Sequence, residues 1–125
     1  MLIRFLCLLC LVAPQPGCFG GNDAAQQSAQ QMEARLEAAK AINLATKRDE
    51  MLGKVALDAA AAGHGDVTLQ AVSAIALQTT HDEIAAQAAR ALAASRSWTA
   101  ATQVAQTIIL VTRRDAVLAE LAEQR

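Results

Sequence analysis

A five-residue pattern recurs at one fixed spacing and limits what this chain can fold into more than any other feature. Thr46-Lys47-Arg48-Asp49-Glu50, Thr79-Thr80-His81-Asp82-Glu83 and Thr112-Arg113-Arg114-Asp115-Ala116 lie 33 residues apart. Each copy reads as a Thr-x-x-Asp helix start, in which the Thr hydroxyl accepts a backbone N–H and the Asp sits in the positive first turn. A helix start at every beat of such a period predicts a solenoid of helical hairpins.

The apolar residues keep the same period. Leu36, Ala39, Ile42 and Leu44 recur as Leu69, Val72, Ile75 and Leu77, then as Thr102, Ala105, Ile108 and Leu110. Steps of three and four mark one buried stripe, expected on the second helix of each hairpin. The first helices are expected to begin at Asp49, Asp82 and Asp115. Their stripe is Met51, Leu52, Val55 and Ala56, then Ile84, Ala85, Ala88 and Ala89, then Val117, Leu118, Leu121 and Ala122. Gly63 suits a left-handed C-cap, Asp66 opens the next helix, and Ser95-Arg96-Ser97 turns the following corner with Ser97 as N-cap. Asn22 and Asp23 can cap an initial helix running to about Ala45. Alanine, the best helix former, is about a quarter of the chain, and both prolines, Pro14 and Pro16, precede the repeats. The expected fold is all-α: a short α-solenoid of antiparallel hairpins, about two and a half repeats long, without strands. The glutamine-rich start and the closing Glu120-Glu123-Gln124-Arg125 read as polar caps for its two ends.

The first residues read as an address. Met1-Leu2-Ile3-Arg4 and the apolar run Phe5–Val12 form the n-region and h-region of a secretory signal peptide, too short for a permanent span. Gly17-Cys18 followed by Phe19-Gly20-Gly21-Asn22-Asp23 resembles the cleavage site and tether of bacterial lipoproteins, in which the Cys is acylated. That resemblance implies lipidation at Cys18, and with the leader and the repeats it gives an expected layout of a signal peptide over 1–17, a tether and the start of a polar N-terminal helix over 18–31, and an α-helical repeat domain over 32–125. Ordinary cleavage near Gly20 or Gly21, which removes Cys18, is the alternative. Cys7 and Cys10 leave with the leader either way, so the mature chain forms no internal disulfide. The implied location is the periplasm or the membrane-anchored envelope of a bacterium.

The hairpins over residues 33–125 resemble tetratricopeptide-type repeats. Small Ala56 and Ala89, with Thr68 and Ala101 twelve residues on, stand where that family keeps two close-packing positions. Gly63 matches its turn glycine and Trp98 the aromatic just after the turn. The period is 33 rather than 34 and no proline closes a repeat, so other α-solenoid classes remain open. The resemblance implies an inner surface made by the first helices, presenting Glu50, Gly53 and Leu57, then Glu83, Ala86 and Arg90. Such a groove holds an extended or helical peptide.

No constellation of catalytic residues is visible. Net charge is −1, or −2 once Arg4 leaves, and no Lys/Arg run exceeds two residues, which excludes an electrostatic footprint for nucleic acid. His64, with Asp66 in the Gly63-His64-Gly65-Asp66 turn, offers too few ligands for a metal, and His81 is expected to be an exposed residue at a helix start. Ser28, Ser73, Ser95 and Ser97 lack a nucleophile elbow, and Gly63-His64-Gly65 is too short for a phosphate loop. Trp98 reads as a plug between helices, with a binding anchor as the other reading. The chain is therefore expected to be no enzyme, to need no cofactor, and to bind a protein or peptide, or itself, as an envelope adaptor. The alternative is a structural envelope protein whose amphipathic helices cover one another or a membrane surface. Alanine seams bring little buried area, a reason to expect a partner.

Overall fold

The computed structural model describes residues 20–124, and the leader and Cys18 lie outside them. Six helices account for most of these residues: α1 (Gly20–Lys40), α2 (Ala45–Ala61), α3 (Gly65–Ala74), α4 (Gln78–Ala94), α5 (Trp98–Gln106) and α6 (Val111–Gln124). There is no strand among the described residues, and the fold is all-α. Links of three or four residues join the helices, too short to let neighbours in sequence part. α1, α3 and α5 pack in sequence as one layer, and α2, α4 and α6 as a second layer against it.

The core lies between the layers. Leu36, Leu52, Leu92, Ile108, Val55, Val72, Val104 and Val117 are its largest fully buried members, and alanine fills much of the remainder. The small residues Ala56, Thr68, Ala89 and Ala101 are fully buried, where short side chains let helices approach. α3 approaches α5 closely at Gly65, where a Cβ would overlap that of Ala100.

Two turns between the layers share one geometry. After α2, His64 N–H donates to Ala59 O (2.8 Å) and Gly63 N–H to Ala60 O (3.0 Å). After α4, Ser97 N–H donates to Leu92 O (2.8 Å) and Arg96 N–H to Ala93 O (2.9 Å). Both are Schellman caps with a left-handed residue at C′. Gly63 takes it at φ 79° without cost, whereas Arg96 is held at φ 63° with a Cβ. Ser97 does stand at the N-cap of α5, but its hydroxyl makes no capping bond.

Three sequence expectations are corrected here. The helices of the second layer begin one turn before Asp49, Asp82 and Asp115, with Leu44 and Leu77 at the N-cap positions of α2 and α4. Arg48 N–H bonds to Leu44 O and His81 N–H to Leu77 O (both 2.8 Å), so the first turn closes on backbone alone and the threonines cap nothing. Leu44, Leu77 and Leu110 therefore leave the buried stripe: they sit in the links and are 66%, 56% and 51% exposed. α1 ends at Lys40, because the chain must turn at Ala41–Asn43 to let α2 start early.

Candidate interaction groove

The aspartates displaced from the helix starts do a different job. Asp49 accepts the backbone N–H groups of Ala76 (3.2 Å) and Leu77 (2.9 Å), which belong to the link before α4. Asp82 accepts those of Ile109 and Leu110 (both 2.9 Å), the link before α6. Each buried carboxylate thus satisfies donors that the next helix of its layer leaves unpaired. Asp115 has no following link among the described residues. It is exposed, with Arg114 at 3.8 Å.

Asp82 is also 3.0 Å from His81 Nδ1. His81 is 8% exposed, not the solvated residue expected at a helix start, because α4 begins a turn earlier and carries it inward. Burial would raise the Asp82 carboxyl, but Ile109 N–H, the His81 ring and Leu110 N–H together outweigh it and hold the group below its ordinary value.

Asp49 fixes one wall of a groove between α2 and α4, with a volume of about 640 Å³. Glu50, Gly53 and Leu57 line it from α2, together with Ala45 and Thr46. Leu77, Thr80 and Ile84 line it from the other side. Gly53 is buried here because Ile84 packs directly over it: a Cβ there would stand 3.2 Å from Ile84 Cδ1. The lining is almost wholly apolar. The Glu50 carboxylate lies at the rim between Lys54 (2.8 Å) and Lys47 (3.1 Å), whose hydrogen bonds pull it below the usual carboxylate range.

Glu83, Ala86 and Arg90 do not line this groove. They stand on α4, 33 residues after Glu50, Gly53 and Leu57. Ala86 is buried, as Gly53 is, and Arg90 reaches Glu120 of α6 with Nε (2.7 Å) and Nη2 (3.0 Å). The hydrogen bonds from Arg90 hold the Glu120 carboxyl low. An ion pair thus bridges α4 and α6, whereas no ion pair bridges α2 and α4 among the described residues.

The other singled-out side chains have structural partners. His64 Nε2 is 3.0 Å from Ser28 Oγ, tying α1 to the α2–α3 turn across 36 residues. A Ser–His contact needs an orienting acid and an oxyanion site to become a nucleophile pair. Here the His64 carbonyl instead accepts Thr68 Oγ1 (2.8 Å), and the pair lines none of the clefts described. Trp98 is half-buried against the core and borders a shallow cleft with Thr102, Leu118, Leu121 and Ala122. No group of three or more His, Cys, Asp or Glu side chains converges among the described residues. No helix among them is long and apolar enough to cross a membrane.

Leu77, Thr80 and Ile84, which form the facing wall, are not among the positions singled out from the sequence for a groove. The signal for Leu77 was present in its 33-residue recurrence and was assigned to the core instead. No protein-family model, no curated protein and no solved structure matches this chain.

Proposed function

We propose that this chain is an exported helical-repeat adaptor that holds a segment of a protein partner in the α2–α4 groove. The groove itself carries the reading. It is an open, apolar trough walled by two helices, with an ion-paired rim, and it has no nucleophile–base pair in its lining. That chemistry receives a bulky apolar side chain from an extended or helical segment and turns over nothing.

The proposed architecture behind it is a short α-solenoid of antiparallel hairpins with a 33-residue period, tetratricopeptide-like and about two and a half repeats long. Three correspondences at that spacing support it: the clamps of Asp49 and Asp82, the left-handed Gly63 and Arg96, and the exposed Leu44, Leu77 and Leu110. Export rests on the signal-peptide pattern of residues 1–17, with Cys18 as the proposed lipid attachment that holds the adaptor at the bacterial envelope.

The reading is tested by selecting displayed random peptides on the purified protein and on a Thr46→Trp variant. Thr46 is exposed at the groove mouth, so a Trp there obstructs the trough and spares the core. The expected result is a family of peptides sharing one bulky apolar residue and losing affinity for the variant. Peptides that bind both proteins equally would remove the groove as the site.

The second reading, a structural envelope protein that associates with itself or a membrane surface, draws on the large apolar side chains left open in the links before α2, α4 and α6.

A further inference from the structure

The α2–α4 groove is apolar inside, but its α2 rim is not neutral. Glu50 lies there between two ammonium groups, Lys54 Nζ at 2.8 Å and Lys47 Nζ at 3.1 Å. One carboxylate serves two lysines, so the trio carries one net positive charge. The Lys47 and Lys54 side chains are 52% and 57% exposed. An ammonium group has three N–H donors, and each lysine gives one to Glu50, which leaves the others for a further acceptor.

The helix accounts for only one of the two lysines. Glu50 and Lys54 form the favourable i,i+4 pair. Lys47, with Arg48 beside it, stands at the start of α2, whose first turn holds no acid, although a helix N-terminus favours carboxylates over cations. Nothing across the groove balances this charge. Ala76, Leu77, Thr80 and Ile84 of the facing wall are uncharged. Asp49 is buried, and its two oxygens are taken by Ala76 and Leu77 N–H. Glu83 of α4 lies outside the lining, where its Oε1 accepts Gln87 Nε2 (3.5 Å).

We propose that the segment held in the α2–α4 groove is acidic: one bulky apolar side chain enters the trough, and Asp or Glu close to it in sequence bind Lys47 and Lys54 along the α2 rim. The proposal rests on the groove being an interaction site and specifies what that site selects. The two lysines are seven residues apart on one helix face, two turns or roughly 10 Å. An extended segment covers that length in about three residues, which places the carboxylates within about three positions of the apolar anchor. A basic segment meets a rim of its own sign and is rejected. An anionic bilayer fits less well. A recessed trough takes a projecting side chain, whereas a membrane-surface site calls for a cluster of about four to eight cations.

Selection of a displayed random-peptide library on the purified protein tests this, followed by fluorescence anisotropy of the recovered peptides. Circular dichroism checks that each variant keeps its helices. The peptides are expected to carry Asp or Glu within about three residues of the apolar anchor and to be lost on Thr46→Trp. Lys47→Gln and Lys54→Gln should each weaken them by about two- to fivefold, the scale of one exposed ion pair. Glu50→Gln removes the competing carboxylate and should tighten them by a similar factor. All three positions are exposed, so these changes spare the core. Raising the salt from about 0.1 M to about 1 M shortens the screening length from ~10 Å to ~3 Å and should erase the differences. Peptides lost on Thr46→Trp but without acidic enrichment, or unmoved by the lysine and Glu50 changes, overturn the proposal and leave the groove as a purely apolar site. Peptides that bind wild type and Thr46→Trp equally, or no peptides at all, remove the groove and the proposal with it. Binding of phosphatidylglycerol vesicles that is lost when both lysines are changed, with no peptide recovered, assigns the rim to lipid instead.

Discussion

Asp82 and Asp115 are the same residue type at the same place in the pattern, yet one is a clamp and the other a surface charge. Removing the Asp82 side chain leaves Ile109 and Leu110 N–H without their acceptor, a loss of about 1–3 kcal/mol. Asp115→Ala, with only a 3.8 Å contact to Arg114, should shift stability by less than about 0.5 kcal/mol. Urea denaturation of the two variants gives the comparison directly. The pH dependence has a definite sign. Because the Asp82 carboxyl is held below its ordinary 3.8, its stabilisation is complete above that value and fades as pH falls through the lower, folded one. Wild type and Asp82→Asn should therefore differ most near neutral pH and converge in acid. A gap that stays constant down to pH values well below 3.8 would refute the clamp. Arg96 gives a prediction of opposite direction. It holds the left-handed position that Gly63 holds 33 residues earlier, so Arg96→Gly should raise stability by about 1 kcal/mol, read as an increase in Tm.

At the scale of elements, the approach of α3 to α5 is set by a single missing side chain. A Cβ on Gly65 would overlap that of Ala100, so Gly65→Ala forces the two helices apart or twists the α2–α3 turn. The expected cost is about 1–3 kcal/mol, as for other overpacked sites, despite the gain in helix propensity. Ala100→Gly in the same chain should recover part of it, which a double-mutant cycle by thermal denaturation would resolve. The sequence disclosed these elements better than their edges. Apolar spacing located the interior of every helix, because burial of a stripe is a property of the sequence itself. The starts at Asp49 and Asp82 were misplaced by a turn because a capping pattern and a clamp to a later link use the same residue. Only tertiary structure tells whether the carboxylate turns to its own helix or to the next. His81 was misjudged for that reason, being carried inward by the earlier start. The Ser28–His64 contact had no local signal, since nothing along the chain pairs residues 36 apart. Half of the groove was legible through Glu50, Gly53 and Leu57. Its other wall required knowing that Leu77 faces outward.

Across the whole molecule, each helix touches only its neighbours in sequence and the adjacent members of its layer. α1 meets α2 and α3, while α6 meets α4 and α5, and among the described residues no contact joins α1 to α5 or α6. Stability then rises and falls with the number of packed neighbours rather than being shared evenly. α4 stands in the middle with Ala85, Ala88, Ala89 and Leu92 fully buried, whereas α6 buries only Val117 and Leu121. Alanine seams sharpen the gradient, because each contact brings little more than one methyl group, and a buried methylene is worth only about 0.8 kcal/mol. Native-state hydrogen exchange should therefore grade along the chain. Amides of α2 and α4 exchange last, those of α6 and of the glutamine-rich first half of α1 exchange earliest, and α3 and α5 fall between. Equal protection of α6 and α4 would mean that the chain opens as one cooperative unit, and that the middle lends its stability to the ends more completely than neighbour contacts alone can carry.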